Sequence, residues 1–225
     1  MKTFGEQVLA FYRNLGSGPQ VPQDVEVLYP HHNPVAWEVM NQFYLKYYHD
    51  HGPRVFLIGI NPGRLGAGTT GIPFTDPIRL KEVCGIDNNF KPNPELSSKF
   101  IYHMIEAYGG VFKFYQNCYF TSVSPLGFTR SGKNLNYYDL RELQDVWEMF
   151  MVNCLRKQIG MGACPKAFSL GQGKNYKYLQ YLNDKYQLFE QVIPLPHPRW
   201  VMQYRLKRLD EFVNDYCSKL SQVIA

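Results

Sequence analysis

Val55–Ile60 reads VFLIGI and runs directly into Asn61-Pro62-Gly63. The run is apolar throughout apart from Gly59, is β-branched at Val55, Ile58 and Ile60, and is too short for a helix. Its end is marked by a residue pair that stops regular structure. The stretch therefore predicts a fully buried strand followed by a turn. Working outward, the same signature recurs three times. Asn117–Val123 (NCYFTSV) stops at Ser124-Pro125, Lys166–Leu170 (KAFSL) at Gly171, and Phe189–Leu195 (FEQVIPL) at Pro196-His197-Pro198.

Helical periodicity fills the intervals, over Ala36–Tyr48, Leu96–Tyr108, Tyr138–Gln158, Asn175–Asn183 and Val201–Leu220. At the start, Thr3 and Glu6 have the spacing of a capping box, ahead of a helix carrying Phe4, Val8, Phe11 and Leu15. Continuous apolar strands alternating with helices predict an α/β fold of three layers, a central four-stranded parallel sheet flanked by helices. A chain of 225 residues that is 45% hydrophobic can bury one such core, so a single domain is expected over residues 1–225. In sheets of this kind, ligands bind beyond the carboxyl ends of the strands. That rule directs attention to the segment Asn61–Phe74, to Ser122 and Ser124, and to His197. The long stretch Gly85–Lys99 reads as a surface excursion.

Composition narrows the chemistry. The formal net charge of +5 suits a polyanionic partner without requiring one. The five cysteines, at positions 84, 118, 154, 164 and 217, form no C-x-x-C pair and no zinc, iron–sulfur or disulfide pattern, which fits a reducing interior. No run approaches the roughly 18 apolar residues of a membrane span, so a soluble, cytoplasmic protein is expected. Gly66-Ala67-Gly68-Thr69-Thr70-Gly71 has the letters of a dinucleotide fingerprint, but the preceding strand ends at Ile60, and Pro73 and Pro77 follow. Those glycines do not join a strand to a helix, and no G-K-[ST] accompanies them, so neither a nicotinamide site nor a phosphate-cradling loop is expected.

Four stretches in chain order carry a family resemblance. GINPGRLGAGTTGIPF around Asn61-Pro62-Gly63 resembles the first motif of the uracil-DNA glycosylase superfamily. Tyr29–Trp37 (YPHHNPVAW) and Ser124–Leu135 (SPLGFTRSGKNL) are similar to segments of its single-strand-selective monofunctional branch. Pro196-His197-Pro198-Arg199 resembles that branch's His-Pro second motif. The resemblance implies a four-stranded parallel sheet and a pocket at its carboxyl edge that receives an everted nucleotide. It also implies hydrolysis of the bond between deoxyribose and uracil, or another deaminated base. Asn61 then positions the attacking water. As an amide it cannot serve as a base, which implies a slower enzyme than relatives with Asp there. His197 hydrogen-bonds the departing base, Phe74, 13 positions after Asn61, stacks on it, and Gly63 exposes its backbone to water or base.

Two departures stand out. The branch has an Asn where this chain has Ser122, and one hydroxyl discriminates less than an amide, which leaves room for bases such as xanthine. The loop after His197 is shortened: Arg199 and Trp200 follow at once. Of that region only Arg199 is carried over, as a wedge or phosphate contact; Arg130 and Lys133 are further DNA-contact candidates. The expected partner is DNA, single-stranded and also duplex, bound by a monomer without metal, organic cofactor or membrane. Taken alone, each residue has an ordinary alternative: a turn former at Asn61 and Gly63, a helix-entrance histidine at His197, loop packing for Phe74. Two rival functions remain open here, a non-catalytic binder of damaged or single-stranded DNA and an enzyme acting on free nucleosides.

Overall fold

The structure is a computed structural model and describes residues 1–224. In chain order its elements are α1 (Phe4–Arg13), β1 (Val25–Leu28), α2 (Pro34–Tyr47), β2 (Arg54–Gly59), α3 (Ala67–Thr70), α4 (Pro77–Glu82), α5 (Leu96–Tyr108), α6 (Val111–Asn117), β3 (Cys118–Ser122), β4 (Gly127–Arg130), β5 (Lys133–Leu135), α7 (Arg141–Ile159), β6 (Ala163–Leu170), α8 (Lys174–Tyr186), β7 (Gln191–Leu195), α9 (Pro198–Tyr204) and α10 (Leu209–Ile224).

The four predicted strands form one parallel sheet in the order β3-β2-β6-β7. Every residue of β2 is buried. Since side chains alternate between faces, both faces of the central strand are covered, as the unbroken apolar run requires. The predicted capping box is present: Glu6 N–H donates to Thr3 Oγ1 at 3.2 Å, and Thr3 N–H to Glu6 Oε2 at 2.7 Å. It starts α1 with Phe4 against Phe56 and Tyr119 of the sheet. At the amino end of β2, Arg54 is wholly buried. It is ion-paired with Asp50, donates to the Tyr115 and Gly52 carbonyls, and lies over the rings of Phe4 and Tyr48.

Two features were not foreseen. A second, antiparallel sheet, β1-β4-β5, is built from strands of three or four residues, too short for periodicity to register. Gly127 at the start of β4 has the Pro62 carbonyl where a side chain would sit. Lacking one, it lets the small sheet press against the turn after β2. The expected helix Val201–Leu220 is divided: α9 ends at Tyr204, a 3-10 turn spans Leu206–Arg208, and α10 begins at Leu209. No Gly or Pro marks the break in sequence. It is held tertiarily, with Trp200 edge-on to Phe212 at 5.9 Å and the Arg205 guanidinium 4.7 Å above Trp200.

Candidate active site

All four strands of the parallel sheet deliver their carboxyl ends to one open cavity of about 660 Å3. From β2 come Ile60, Asn61, Pro62 and Gly63; from β3, Ser122; from β6, Gly171–Asn175; from β7, Pro196 and His197. Phe74, Arg199, Trp200, Gln203 and Tyr204 complete much of the wall and rim. Asn61, Gly63, Phe74, Ser122, His197 and Arg199, scattered over the sequence, thus share one cavity.

The Asn61 amide is oriented by main chain. Its Oδ1 accepts the Tyr137 N–H at 3.0 Å and its Nδ2 donates to the Leu135 carbonyl at 3.2 Å. Two contacts from the segment leaving β5 therefore settle which end of the amide is oxygen and leave Oδ1 one acceptor position. Gly63 passes close to the Asn134 side chain: a Cβ there would lie 3.1 Å from Asn134 Nδ2. The glycine-rich segment folds back on this turn, with Gly68 N–H donating to the Gly63 carbonyl at 2.8 Å. Gly68 packs on this turn, where a Cβ would meet the Gly63 carbonyl at 2.6 Å, while Gly66 faces Glu95 and Gly71 faces Met40. Against the expectation that these glycines open no helix, Gly66 caps the short helix α3.

Phe74 adopts φ +56°, a left-handed conformation that a bulky residue takes only under constraint. Thr70 Oγ1, donating to the Thr75 carbonyl at 2.7 Å, ties the loop down beside it. The ring lies 5.3 Å from Phe120 and over Gly59, where a Cβ would meet it at 3.0 Å and meet Ser122 Oγ at 3.5 Å. Ser122 is 7% exposed and lines the cavity, whereas Ser124 is wholly buried and donates to the Leu126 carbonyl at 2.8 Å, a structural role.

His197 stands at the amino cap of α9, where its Nδ1 accepts the Arg199 N–H at 3.2 Å. Burial, aided by the nearby Arg199 charge, lowers its pKa to about 4. The imidazole is neutral at ordinary pH, and with Nδ1 accepting, the proton belongs on Nε2.

The three basic candidates separate. Arg199 is exposed on the rim; Lys133 and Arg130 lie on the small sheet outside the cavity wall, and Arg130 is paired with Asp24. Sequence reasoning missed the turn Gly171–Asn175, although it follows a strand's carboxyl end and the same rule reaches it. It also missed Glu95 and Ser97, brought in by the start of α5, and Asn136 and Tyr138 after β5. Glu95 caps α5 by accepting Ser98 N–H at 2.9 Å. Trp200 is 38% exposed on the rim and Tyr204 is 64% exposed beside it. Among the described residues no group of three or more His, Cys, Asp or Glu could hold a metal ion, and no helix is long and apolar enough to cross a membrane.

Comparison with solved structures finds the crystal structure of SMUG2 from Pedobacter heparinus, with a TM-score of 0.95 and 38% identity over 99% of this chain and 98% of that one. Among curated proteins, the single-strand selective monofunctional uracil-DNA glycosylase of Rattus norvegicus is 30% identical over 142 residues, 54% of this chain. The chain spans about half of that relative's length (49%). A model of the uracil DNA glycosylase superfamily matches residues 45–221, from the last residues of α2 through most of α10, and so takes in every strand that feeds the cavity. The chain belongs to the uracil DNA glycosylase superfamily.

Proposed function

We propose that this protein is a monofunctional DNA glycosylase that hydrolyses the N-glycosidic bond of uracil, or of another deaminated base, in DNA. The observation that carries the reading is the meeting of Asn61 and His197 on one cavity, from the ends of β2 and β7. As the glycosidic bond lengthens, positive charge spreads over the sugar and negative charge over the departing base. The Nε2–H of neutral His197 is a suitable donor to a base carbonyl oxygen, and such an interaction strengthens as the base becomes anionic. The free acceptor position of Asn61 Oδ1 can take a hydrogen bond from a water and hold it for attack on the sugar. It takes no proton in the process; the proton that the water loses passes to solvent, and the departing base anion takes one up, so the hydrolysis balances. Phe74 offers a flat face for stacking, a contribution of roughly 1–3 kcal/mol per base.

A base buried among these groups must leave its helical stack, so the reaction proceeds on an everted nucleotide. Ser122 gives the base edge one short hydroxyl, so the pocket tolerates more than uracil, xanthine included. Around the mouth, Arg199, Lys174, Trp200 and Tyr204 combine cations with exposed rings, which suits a single strand better than a regular duplex. A soluble monomer in the cytoplasm completes the reading.

The test is a panel of single-stranded and duplex oligonucleotides carrying uracil, hydroxymethyluracil, xanthine or hypoxanthine, scored for alkali-labile abasic sites. Release of at least one base, reduced by about 10²–10³-fold in His197→Ala, is expected. Salt-dependent DNA binding with no abasic product from any member would replace the enzyme by a binding protein.

A further inference from the structure

Along and beneath the cavity wall, to which Gly171 and Asn175 themselves belong, a chain of buried polar groups connects the Asn61 side with the His197 side. Tyr137, whose N–H holds Asn61 Oδ1, donates its hydroxyl to Asn175 Oδ1 at 3.0 Å. Asn175 Nδ2 donates to Ser169 Oγ at 3.3 Å and to the Ile58 carbonyl at 3.4 Å. Ser169 Oγ in turn donates to the Gly171 carbonyl at 3.1 Å, and Gly171 N–H to the Leu195 carbonyl at 2.8 Å. Gly171, at φ +124°, backs onto His197: a Cβ there would lie 3.8 Å from the ring's Cδ2. Tyr137 and Ser169 are wholly buried and Asn175 is 2% exposed.

Polar groups sunk this deep are costly unless fully partnered, and once partnered they fix one another's orientation. The packing of β2 against β6 does not need them, since apolar residues at Tyr137, Ser169 and Asn175 would also fill a core. Their placement is specific in another way. Tyr137 uses its main chain on Asn61 and its side chain on Asn175, so the two amides are joined through one rigid residue. That residue is in turn gripped by the rings of Tyr138 at 5.0 Å and Tyr178 at 5.2 Å.

We infer that Tyr137 and Asn175 are positioning residues: they fix the Asn61 amide relative to the His197 wall of the cavity, through the bridge from Tyr137 to Asn175 and Ser169. This rests on the glycosylase reading for its kinetic consequence, and on hydrogen-bond geometry alone for its structural one. Neither residue touches the reacting atoms in this role. A slack bridge lets the amide turn, and a small misplacement of a positioned water reduces the chemical step while leaving DNA affinity alone.

Tyr137→Phe tests this, because it removes the hydroxyl and keeps both the ring packing and the main-chain N–H. With folding checked by circular dichroism, single-turnover base release is expected to fall about tenfold while Kd for a uracil oligonucleotide stays within about twofold. In an Asn61→Ala background the same substitution is expected to cost less than about twofold, since its effect runs through Asn61. An undiminished penalty in that background, or no penalty in the wild type, overturns the inference. If the wild-type protein releases no base at all, it is the functional reading that fails. The bridge is then judged from the Asn61 side-chain NH2 resonances in a 15N-labelled sample. These shift in Tyr137→Phe and in Asn175→Ala if the bridge sets the amide, and staying in place overturns it.

Discussion

Nδ1 of His197 accepts the backbone N–H of Arg199 at 3.2 Å, so the ring that faces the cavity also caps the helix behind it. Capping commits Nδ1 to accepting and leaves Nε2 as the donor. Burial lowers the pKa to about 4 from an ordinary 6.5, with the Arg199 charge adding to it. The ring is therefore neutral and correctly polarised above about pH 4. It takes a proton, and loses the cap, only as pH falls through that value. The pH profile of single-turnover base release should thus stay level from pH 8 down to near 5, with its acid limb close to 4. An acid limb at 6.5 in a protein shown to be folded would mean that His197 is exposed and free to titrate.

His31 has the same tendency away from the cavity. It is 6% exposed, neither ring nitrogen has a partner, and burial, with His32 beside it, lowers its pKa to about 4. The unfolded chain binds this proton near 6.5, the folded protein only near 4. The stability the neutral ring contributes is present above 6.5 and lost as pH falls toward 4. His31→Phe keeps an aromatic ring among Tyr12, Tyr29 and His32 and removes two unsatisfied nitrogens. It should raise Tm, and raise it more at pH 5 than at pH 8. An equal shift at both pH values in thermal melts would show that His31 already titrates normally in the folded state.

The clamp on Asn61 makes its replacement by Asp informative. Asp titrates and could in principle act as a base, so a simple view expects a faster enzyme. Here the replaced Nδ2 faces the Leu135 carbonyl at 3.2 Å. A carboxylate oxygen in its place sets two acceptors against each other, and a carboxyl keeps the contact only by holding a proton. Asn61→Asp is expected to cost about 1–3 kcal/mol of stability, seen as a lower Tm, and to release base more slowly than the wild type at pH 7. Its activity should increase as pH is lowered toward 5. Faster release than the wild type at pH 7 would show that the amide is free of the clamp.

Much of this was legible in the sequence for a physical reason. The central strand β2, buried on both faces, must be apolar throughout, whereas β6 and β7 are exposed near their amino ends. All four runs stop at turn residues, so VFLIGI-Asn-Pro-Gly and its three counterparts mark the sheet and its ligand-binding edge together. The small sheet was not legible, because strands of three residues such as Lys133–Leu135 have no period to detect. Nor was the break at Arg205, where no Gly or Pro stands and the Trp200–Phe212 contact joins the two helices across it. At the site, turns at strand ends marked the positions of Asn61 and His197, and the resemblance to the glycosylase motifs implied their roles. Tyr137 and Asn175 could not. Within a helical or aromatic stretch, nothing local shows that a hydroxyl from one loop meets an amide from a distant helix.

Two glycines near the proposed base pocket should respond differently to the same added methyl group. In Gly59→Ala, the new Cβ meets the Phe74 ring at 3.0–3.1 Å. That ring is held against Phe120 on a loop already in a left-handed conformation, so it has little freedom to retreat. In Gly63→Ala the Cβ meets only Asn134 Nδ2, at 3.1 Å, and Asn134 is an exposed side chain that can swing away at the expense of its bond to Arg64 N–H. Gly59 lies in a strand, where the backbone accepts alanine at least as well as glycine, so the cost there comes from crowding the Phe74 ring, about 1–3 kcal/mol of stability together with a displaced stacking face. Base release is therefore expected to fall about a hundredfold in Gly59→Ala and less than about tenfold in Gly63→Ala, with both proteins folded. The reverse order in kcat/KM would mean that the base lies against the Asn-Pro-Gly turn rather than between Phe74 and Ser122.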